Sequence, residues 1–589
     1  MNTTSTHGLA VTLPDLLNSL ASKFPDKPAL AAPGRTGLSY RALAAHIDCV
    51  QAALRECGLG RGDRIALVLP NGPEMAAAFL AVAGGAVCAP LNPRYRLEEF
   101  DFYLSDLGVK ALIVEAGSDS AACAVARLRG IDVIELAPAG EARAGVFSLH
   151  GSAGRSVDSR PAQGEDVALL LHTSGTTSRP KLVPLLHKNL CASAFNIGRT
   201  LRLSPDDCCL NMMPLFHIHG LVAALLSSLA AGARVVCAPD FSAWGFFEWM
   251  SEFRPSWYTA VPTMHQAVLA RAKEHADVIA DHRLRFIRSS SAALPAAVMA
   301  ELEGLFGVPV IESYGMTEAA HQMTSNPLPP AQRKPRSVGI AAGPEVAIMD
   351  AAGAQLAQGQ SGEVVIRGAN VTPGYENNAP ANRASFSNGW FRTGDQGYLD
   401  AGGYLFLTGR LKEIINRGGE KISPCEVDEA LLEHPAVAQA VAFALPHPTL
   451  GEDVAAAVVL KQENSTDPRA IREFLFERLT HFKVPSQVVI VPAIPKGPTS
   501  KLQRLGLADK LGEFLQPAPA APRNEIEHAV AKIFAEVLKI DNFGIDDNFF
   551  ALGGDSLTGT QVANRILAVF EIDLLNVAIF RKPTAATRW

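Results

Sequence analysis

Residues 172–181, HTSGTTSRPK, gather hydroxyls, a glycine and two cations behind an apolar run. That mixture suits an anion. Gly175 permits close backbone approach, Thr173, Ser174, Thr176 and Thr177 bring hydroxyl donors, and Lys181 adds positive charge. The stretch is not a Walker A loop, because GxxxxGK[ST] does not occur in it. By itself it reads as a polar turn after a buried strand, and three further segments change that reading. SYGMTEAAH (313–321) sets an aromatic beside a Thr–Glu pair. GWFRTGDQGYLDAGGYLFLTGRLKEIINRGGEKISPCEVDEAL (389–431) holds Asp395, Arg410 and paired glycines, and PKGPTSKLQR (495–504) carries Lys501. DNFFALGGDSL (547–557) puts Ser556 ahead of an apolar pattern at helical spacing, Val562, Ile566 and Val569.

In this order and at these separations, the first four segments resemble the adenylate-forming family of acyl-CoA synthetases, aryl-CoA ligases, luciferases and peptide-synthetase adenylation domains. The resemblance covers about residues 10–510, and the last segment resembles the attachment loop of acyl and peptidyl carrier proteins. It implies an α/β protein: a large multi-subdomain N-terminal part (1–410), a small mobile α/β part (411–512), a linker (513–523) and a helical-bundle carrier (524–589). The chain ends at KPTAATRW, early in the carrier's expected last helix, which reads either as an imposed boundary or as a piece of a larger assembly-line protein.

The implied reaction joins a carboxylate to ATP, giving an acyl-adenylate and pyrophosphate, with Mg2+ present. A carboxylate is ionised at neutral pH and needs no general base. The obstacle is bringing an anion against a polyanion, so catalysis should be mostly electrostatic. The resemblance makes Lys501 the mobile lysine bridging carboxylate and α-phosphate, Thr317 an α-phosphate contact, and Glu318 the magnesium carboxylate; magnesium commonly takes one or two carboxylates plus phosphate oxygens. Thr173, Ser174, Gly175, Thr176, Thr177 and Lys181 become the polyphosphate loop. Tyr314 is assigned to adenine stacking, Asp395 to the ribose hydroxyls and Arg410 to ribose support. Two departures stand out: "SK" replaces the usual "GK" at Lys501, and Leu182 replaces the glycine usual after Lys181.

Thioester formation needs another geometry, because the catalytic lysine obstructs the path of an incoming thiol. The family rotates its small domain, which makes Lys412 the hinge and NRGGEKISP, with Gly418, Gly419 and Lys421, the loop brought to the thiol tunnel. Ser556 is the implied phosphopantetheine attachment point. A short linker would supply that arm at high effective concentration. A phosphopantetheinyl transferase and downstream assembly-line domains are the implied partners.

For the acid, PLFHIHGL (214–221) puts His217 where peptide-synthetase domains hold an Asp against an α-ammonium. A small carboxylic acid without that amine is therefore favoured, with Ser289, Ser290, Ser291 and His321 lining the pocket near the carboxylate. Use of free CoA, an amino-acid-activating module and a non-catalytic scaffold are the competing readings.

The rest of the chain must position these groups. It has 589 residues, 48% apolar and 19% charged, and its net charge of −6 gives no footing for nucleic acid. Nine scattered cysteines with no CxxC pair indicate neither zinc site nor disulfide framework. No secretory leader pattern opens the chain, and 221–236 is too short to span a bilayer, so a cytoplasmic protein without membrane partners is expected. Segments 63–70, 111–116, 132–136 and 233–239 read as buried strands, with helix-like stretches such as 72–86 between them. That alternation is the pattern of a parallel α/β layer. From about 335 the texture changes to Gly-punctuated strands. A Pro/Ala stretch, 515–527, reads as an extended, semi-rigid linker.

Overall fold

The computed structural model describes residues 11–140, 143–154, 157, 160–173, 180–447, 450–461, 466–495, 504–515, 522–538, 543–545, 549, 556–570 and 584. The chain divides into two compact units, Met1–Leu407 and Thr408–Trp589.

The first unit carries two large sheets and a smaller one. In the seven-stranded sheet the order is Phe147–His150, Asp132–Pro138, Ala111–Glu115, Arg64–Val68, Val87–Pro90, Val167–Thr173, Lys181–Leu186. Its central strands are parallel, with Ile65 opposite both Cys88 and Ala111. Strands buried on both faces carry continuous apolar runs, as 65–68 and 111–114 do. The nine-stranded sheet runs Ile340–Ala341, His321–Ser325, Val310–Met316, Phe286–Ser290, Trp257–Ala260, Cys208–Asn211, Arg234–Cys237, Pro28–Ala32, Arg35–Ser39. The four strands expected from the sequence are present as Arg64–Val68, Ala111–Glu115, Asp132–Pro138 and Arg234–Cys237.

The helix Pro73–Gly85 lies between the layers and differs from an amphipathic surface helix. Every residue from Met75 to Gly84 is buried, since alanines let strands approach it from all sides. The stretch 219–230 is likewise core: a wide-turned π-helix, His219–Leu226, runs into Ser227–Ala230. No helix among the described residues is long and apolar enough to cross a membrane. The third sheet is antiparallel and built from Glu345–Met349, Gly362–Arg367, Phe386–Ser387, Trp390–Leu399 and Leu405–Arg410.

The second unit starts inside that last strand. Its own sheet joins Glu420–Ile422, Ile415–Arg417, Gly451–Leu460 and Val437–His447, with Gln487–Ile490 parallel to Gly451–Leu460. Helices Pro424–Leu432 and Pro468–Phe476 supply Val427, Leu431, Ile471 and Leu475 to its core. Farther along, helices Glu525–Leu538 and Ser556–Phe570 share a separate apolar core around Phe534, Phe549, Val562 and Ile566.

Candidate active site

Three parallel strands, Trp257–Ala260, Phe286–Ser290 and Val310–Met316, end on one edge of the nine-stranded sheet. The carboxyl edge of such a sheet is where ligands settle in open α/β folds. The turn after the third strand holds Thr317 and Glu318 in one 3-10 turn, Thr317–Ala319. The chain then reverses sharply through positive φ at Ala320 (46°) and His321 (98°). Gly315 is needed for this reversal, because a Cβ there would sit 1.7 Å from the His321 carbonyl oxygen. A second loop braces the turn. The Thr372 N–H donates to the Glu318 carbonyl at 2.7 Å, and Asn370 Nδ2 donates to the carbonyls of Ala319 (2.8 Å) and Gln322 (3.0 Å).

The Glu318 carboxylate is buried, 5% exposed, and its Oε1 accepts the Tyr375 hydroxyl at 2.7 Å. Burial, with Glu318 adding to it, pushes the Tyr375 phenol far above its ordinary range, so it stays a donor. Lys181 Nζ lies over the same ring, 4.3 Å from its centre. Tyr375 thus touches the proposed metal carboxylate with its edge and the proposed phosphate cation with its face. Lys181 begins a strand whose register sets it opposite Thr173, and the Thr173 hydroxyl lies 3.5 Å from the Lys181 carbonyl oxygen. The loop residues between, Ser174, Gly175, Thr176 and Thr177, lie outside the described residues.

Tyr314 and Asp395, 81 positions apart, are brought together: the tyrosine hydroxyl donates to Asp395 Oδ2. Asp395 is buried at 8% exposure, and its N–H donates to Thr393 Oγ1 at 3.1 Å. A hard carboxylate oxygen at Glu318, a cation at Lys181 and a tyrosine–carboxylate pair at 314/395 form a donor set chemically suited to magnesium, polyphosphate and a nucleoside.

The acid-pocket residues divide. Ser290 Oγ donates to the Ser313 carbonyl at 2.9 Å, which ties it into the sheet, while Ser289 is fully buried. Ser291 is half-buried with φ of 73°, a left-handed position uncommon for a non-glycine residue. His217 accepts the His219 N–H at 3.2 Å on Nδ1. His219, which the sequence reading passed over, lies closer to the other pocket residues. Its ring centre is 5.0 Å from that of His321, Nδ1 is 3.1 Å from Ser291 Oγ, and Nε2 is 2.7 Å from Thr259 Oγ1. Arg288 and Thr259 were also missed, and they face each other across neighbouring strands. A separate cavity of about 250 Å3, lined by Arg35, Leu69–Glu74, Pro138 and Cys237 among others, contains none of the motif residues.

In the second unit, Gly418 and Gly419 form the tip of the hairpin Ile415–Arg417/Glu420–Ile422 at φ of 58° and 97°. Lys421 pairs in register with Asn416, and Lys412 is exposed. Arg410 ends its strand, its carbonyl accepting the N–H groups of Glu413 (2.9 Å) and Ile414 (3.1 Å). Lys501 lies outside the described residues, but Arg504, three positions on, is anchored. It is bound to Asp428 at 2.6 Å, to Glu413 at 3.3 Å, and to the Ala442 carbonyl at 2.9 Å. Ser556 is the first residue of the helix Ser556–Phe570.

Comparison with known proteins gives the family. Residues 17–376 match the AMP-binding enzyme family, 426–501 its C-terminal domain, and 528–587 the phosphopantetheine attachment site. The chain is 45% identical over 500 residues to an oxalate–CoA ligase of Arabidopsis thaliana, covering 84% of this chain and 97% of that protein. It is 36% identical over 499 residues to a sulfoacetate–CoA ligase of Cupriavidus necator, with the same shares covered. Among solved structures, ATP-bound MatB from Rhodopseudomonas palustris superposes with a TM-score of 0.76 at 29% identity, covering 86% of this chain and all of that one. The chain belongs to the AMP-binding enzymes: it is an AMP-forming acid–thiol ligase that uses ATP and Mg2+, fused to a phosphopantetheine-bearing carrier domain.

Proposed function

We propose that this protein activates a small carboxylic acid, one with a second anionic group in place of an α-amine, and loads it onto its own carrier. The observation that carries this reading is the His219–His321 pair, 5.0 Å apart beside Ser291, on the strand edge that also holds Glu318. Imidazoles and hydroxyls donate to anions and offer nothing ionic to an ammonium. Oxalate and sulfoacetate, the acids named for two relatives, each carry a second acidic group next to a carboxylate.

Residues 1–410 would form the large adenylating part, 411–512 the small one, 513–523 the linker and 524–589 the carrier. Lys181 and the loop from Thr173 to Thr177 hold the polyphosphate, Glu318 offers the carboxylate for magnesium, and Tyr314 with Asp395 and Arg410 holds the nucleoside. The metal, when bound, spreads phosphate charge. Lys501 neutralises the approach of the acid's carboxylate oxygen to the α-phosphorus, where one P–O bond forms and the bond to pyrophosphate breaks. After the small part turns about Lys412, with Gly418, Gly419 and Lys421 at the tunnel, the thiol on Ser556 attacks the acyl carbon and AMP leaves. A phosphopantetheinyl transferase must first install the arm, and downstream assembly-line domains take the acyl group. These features describe a loading module.

The test is acid-dependent pyrophosphate exchange over short keto, hydroxy, dicarboxylic, sulfonated, aromatic and amino acids, with the mass of the carrier peptide read afterwards. Exchange with a dianionic acid and an acyl–pantetheine mass on Ser556 is expected. Exchange only with amino acids would overturn the acid assignment, and product only on free CoA would overturn self-loading. Lys501→Gln with undiminished adenylate formation would overturn the mechanism.

A further inference from the structure

Arg288 is an unusual cation. It is fully buried in the middle of the strand Phe286–Ser290, and no carboxylate lies within ion-pair distance of it among the described residues. Its hydrogen-bonding contacts are neutral: Nη2 donates to Gln322 Oε1 at 3.2 Å, and Nη1 lies 3.5 Å from Thr259 Oγ1. Burial draws the guanidinium down to about 9, which leaves it charged at neutral pH. A buried charge without a counter-charge is costly and needs a reason.

The reason lies in what the cation does to the next groups. A guanidinium has donors only. Thr259 Oγ1 therefore turns a lone pair toward Arg288, and the acceptor within reach of its own proton among the described residues is His219 Nε2, at 2.7 Å. An imidazole accepting on Nε2 carries its proton on Nδ1. His219 Nδ1 thus donates to Ser291 Oγ, 3.1 Å away. With that oxygen accepting, the Ser291 hydroxyl proton is left to donate, and no acceptor for it occurs among the described residues. The strained φ of Ser291, 73°, holds this half-buried hydroxyl in place.

We infer that Arg288 sets the direction of a four-residue hydrogen-bond chain, Arg288 to Thr259 to His219 to Ser291, which ends in a donor for the second anionic group of the acid. Arg288, Thr259 and His219 are positioning residues; Ser291 is the one that meets the acid. The identity of the acid rests on the proposed function above, whereas the direction of the chain does not.

Two readouts on the full-length protein separate them. The first is pyrophosphate exchange with oxalate against acetate. Thr259→Val, which keeps shape and removes the hydroxyl, is expected to raise KM for oxalate tenfold or more relative to acetate, with KM for ATP within twofold; Thr259→Ser restores the preference. The second is the imidazole 15N signature of His219 in histidine-labelled protein, assigned against His219→Gln. Wild type is expected to show protonated Nδ1 and bare Nε2, and both Thr259→Val and Arg288→Met to release that fixed tautomer. A wild-type His219 protonated on Nε2, a tautomer unmoved in Arg288→Met, or an oxalate preference unmoved in Thr259→Val would each overturn the inference. If neither acid supports exchange while the tautomer behaves as expected, the small-acid reading falls and the direction of the chain stands.

Discussion

Substitution of Arg504 by Gln would break a buried ion pair of the second unit. The Arg504 and Asp428 side chains are 16% and 14% exposed, so solvent screens them little. Losing the guanidinium leaves Asp428 with one strong partner, the Ala442 N–H at 2.6 Å, and frees Glu413, the neighbour of the proposed hinge. Removing one member of a buried pair costs about 3–5 kcal/mol. For a domain of this size that lowers Tm by roughly 12 °C or more. Burial, only partly offset by Arg504, holds the Asp428 carboxyl above its ordinary range. The folded state therefore binds more protons than the unfolded one just above the ordinary carboxylate range, and this group's contribution falls as pH rises through that window. Without Arg504 the window extends further upward, so the deficit of the variant should be smaller near pH 5 than near pH 8. Scanning calorimetry of the full chain at both pH values measures this. Arg504→Met combined with Asp428→Leu should recover most of the loss, since a buried pair is near break-even with apolar residues. A single variant that melts within two or three degrees of wild type, or a deficit that grows on acidification, would refute the reasoning.

Tyr375→Phe keeps the ring under Lys181 but removes the donor to Glu318; one hydrogen bond to a buried carboxylate is worth about 1.5–3 kcal/mol. The Mg2+ concentration for half-maximal exchange should rise roughly 10- to 100-fold, and an unchanged magnesium titration would count against the assignment of Glu318. Lys412→Pro should leave adenylate formation near wild type and depress thioester formation, as read by single-turnover assays of each half-reaction. Ser556→Ala should abolish acyl mass on the carrier while acid-dependent exchange persists.

Sequence and structure differ in instructive places. Thr173, Lys181, Thr317 and Glu318 stand out as candidates because each belongs to a short run whose residue types suit phosphate or metal, and the strand leading to Thr173 shows as an apolar stretch, VALLL. Tyr375 was not legible, since it lies 57 positions from Glu318 and nothing local marks it. His217 and His219 are near-equivalent in the string FHIHG; only the π-helix opening at His219 directs that ring to Thr259 and Ser291. Arg288 looks like any charged residue in RFIRSSS until the strand pairing shows it buried between Thr259 and Gln322. Contacts across strands are set by register, and register is a property of the whole sheet.

Among the described residues, the apolar core around the two helices beyond the Pro/Ala stretch, Val530, Phe534, Phe543, Phe549, Val562 and Ile566, takes no side chain from the preceding part of the chain. Such self-sufficiency makes the cargo-bearing end transplantable: recombination at that stretch could trade one acid-selecting engine for another while the delivery end, and whatever machinery docks with it, stays the same.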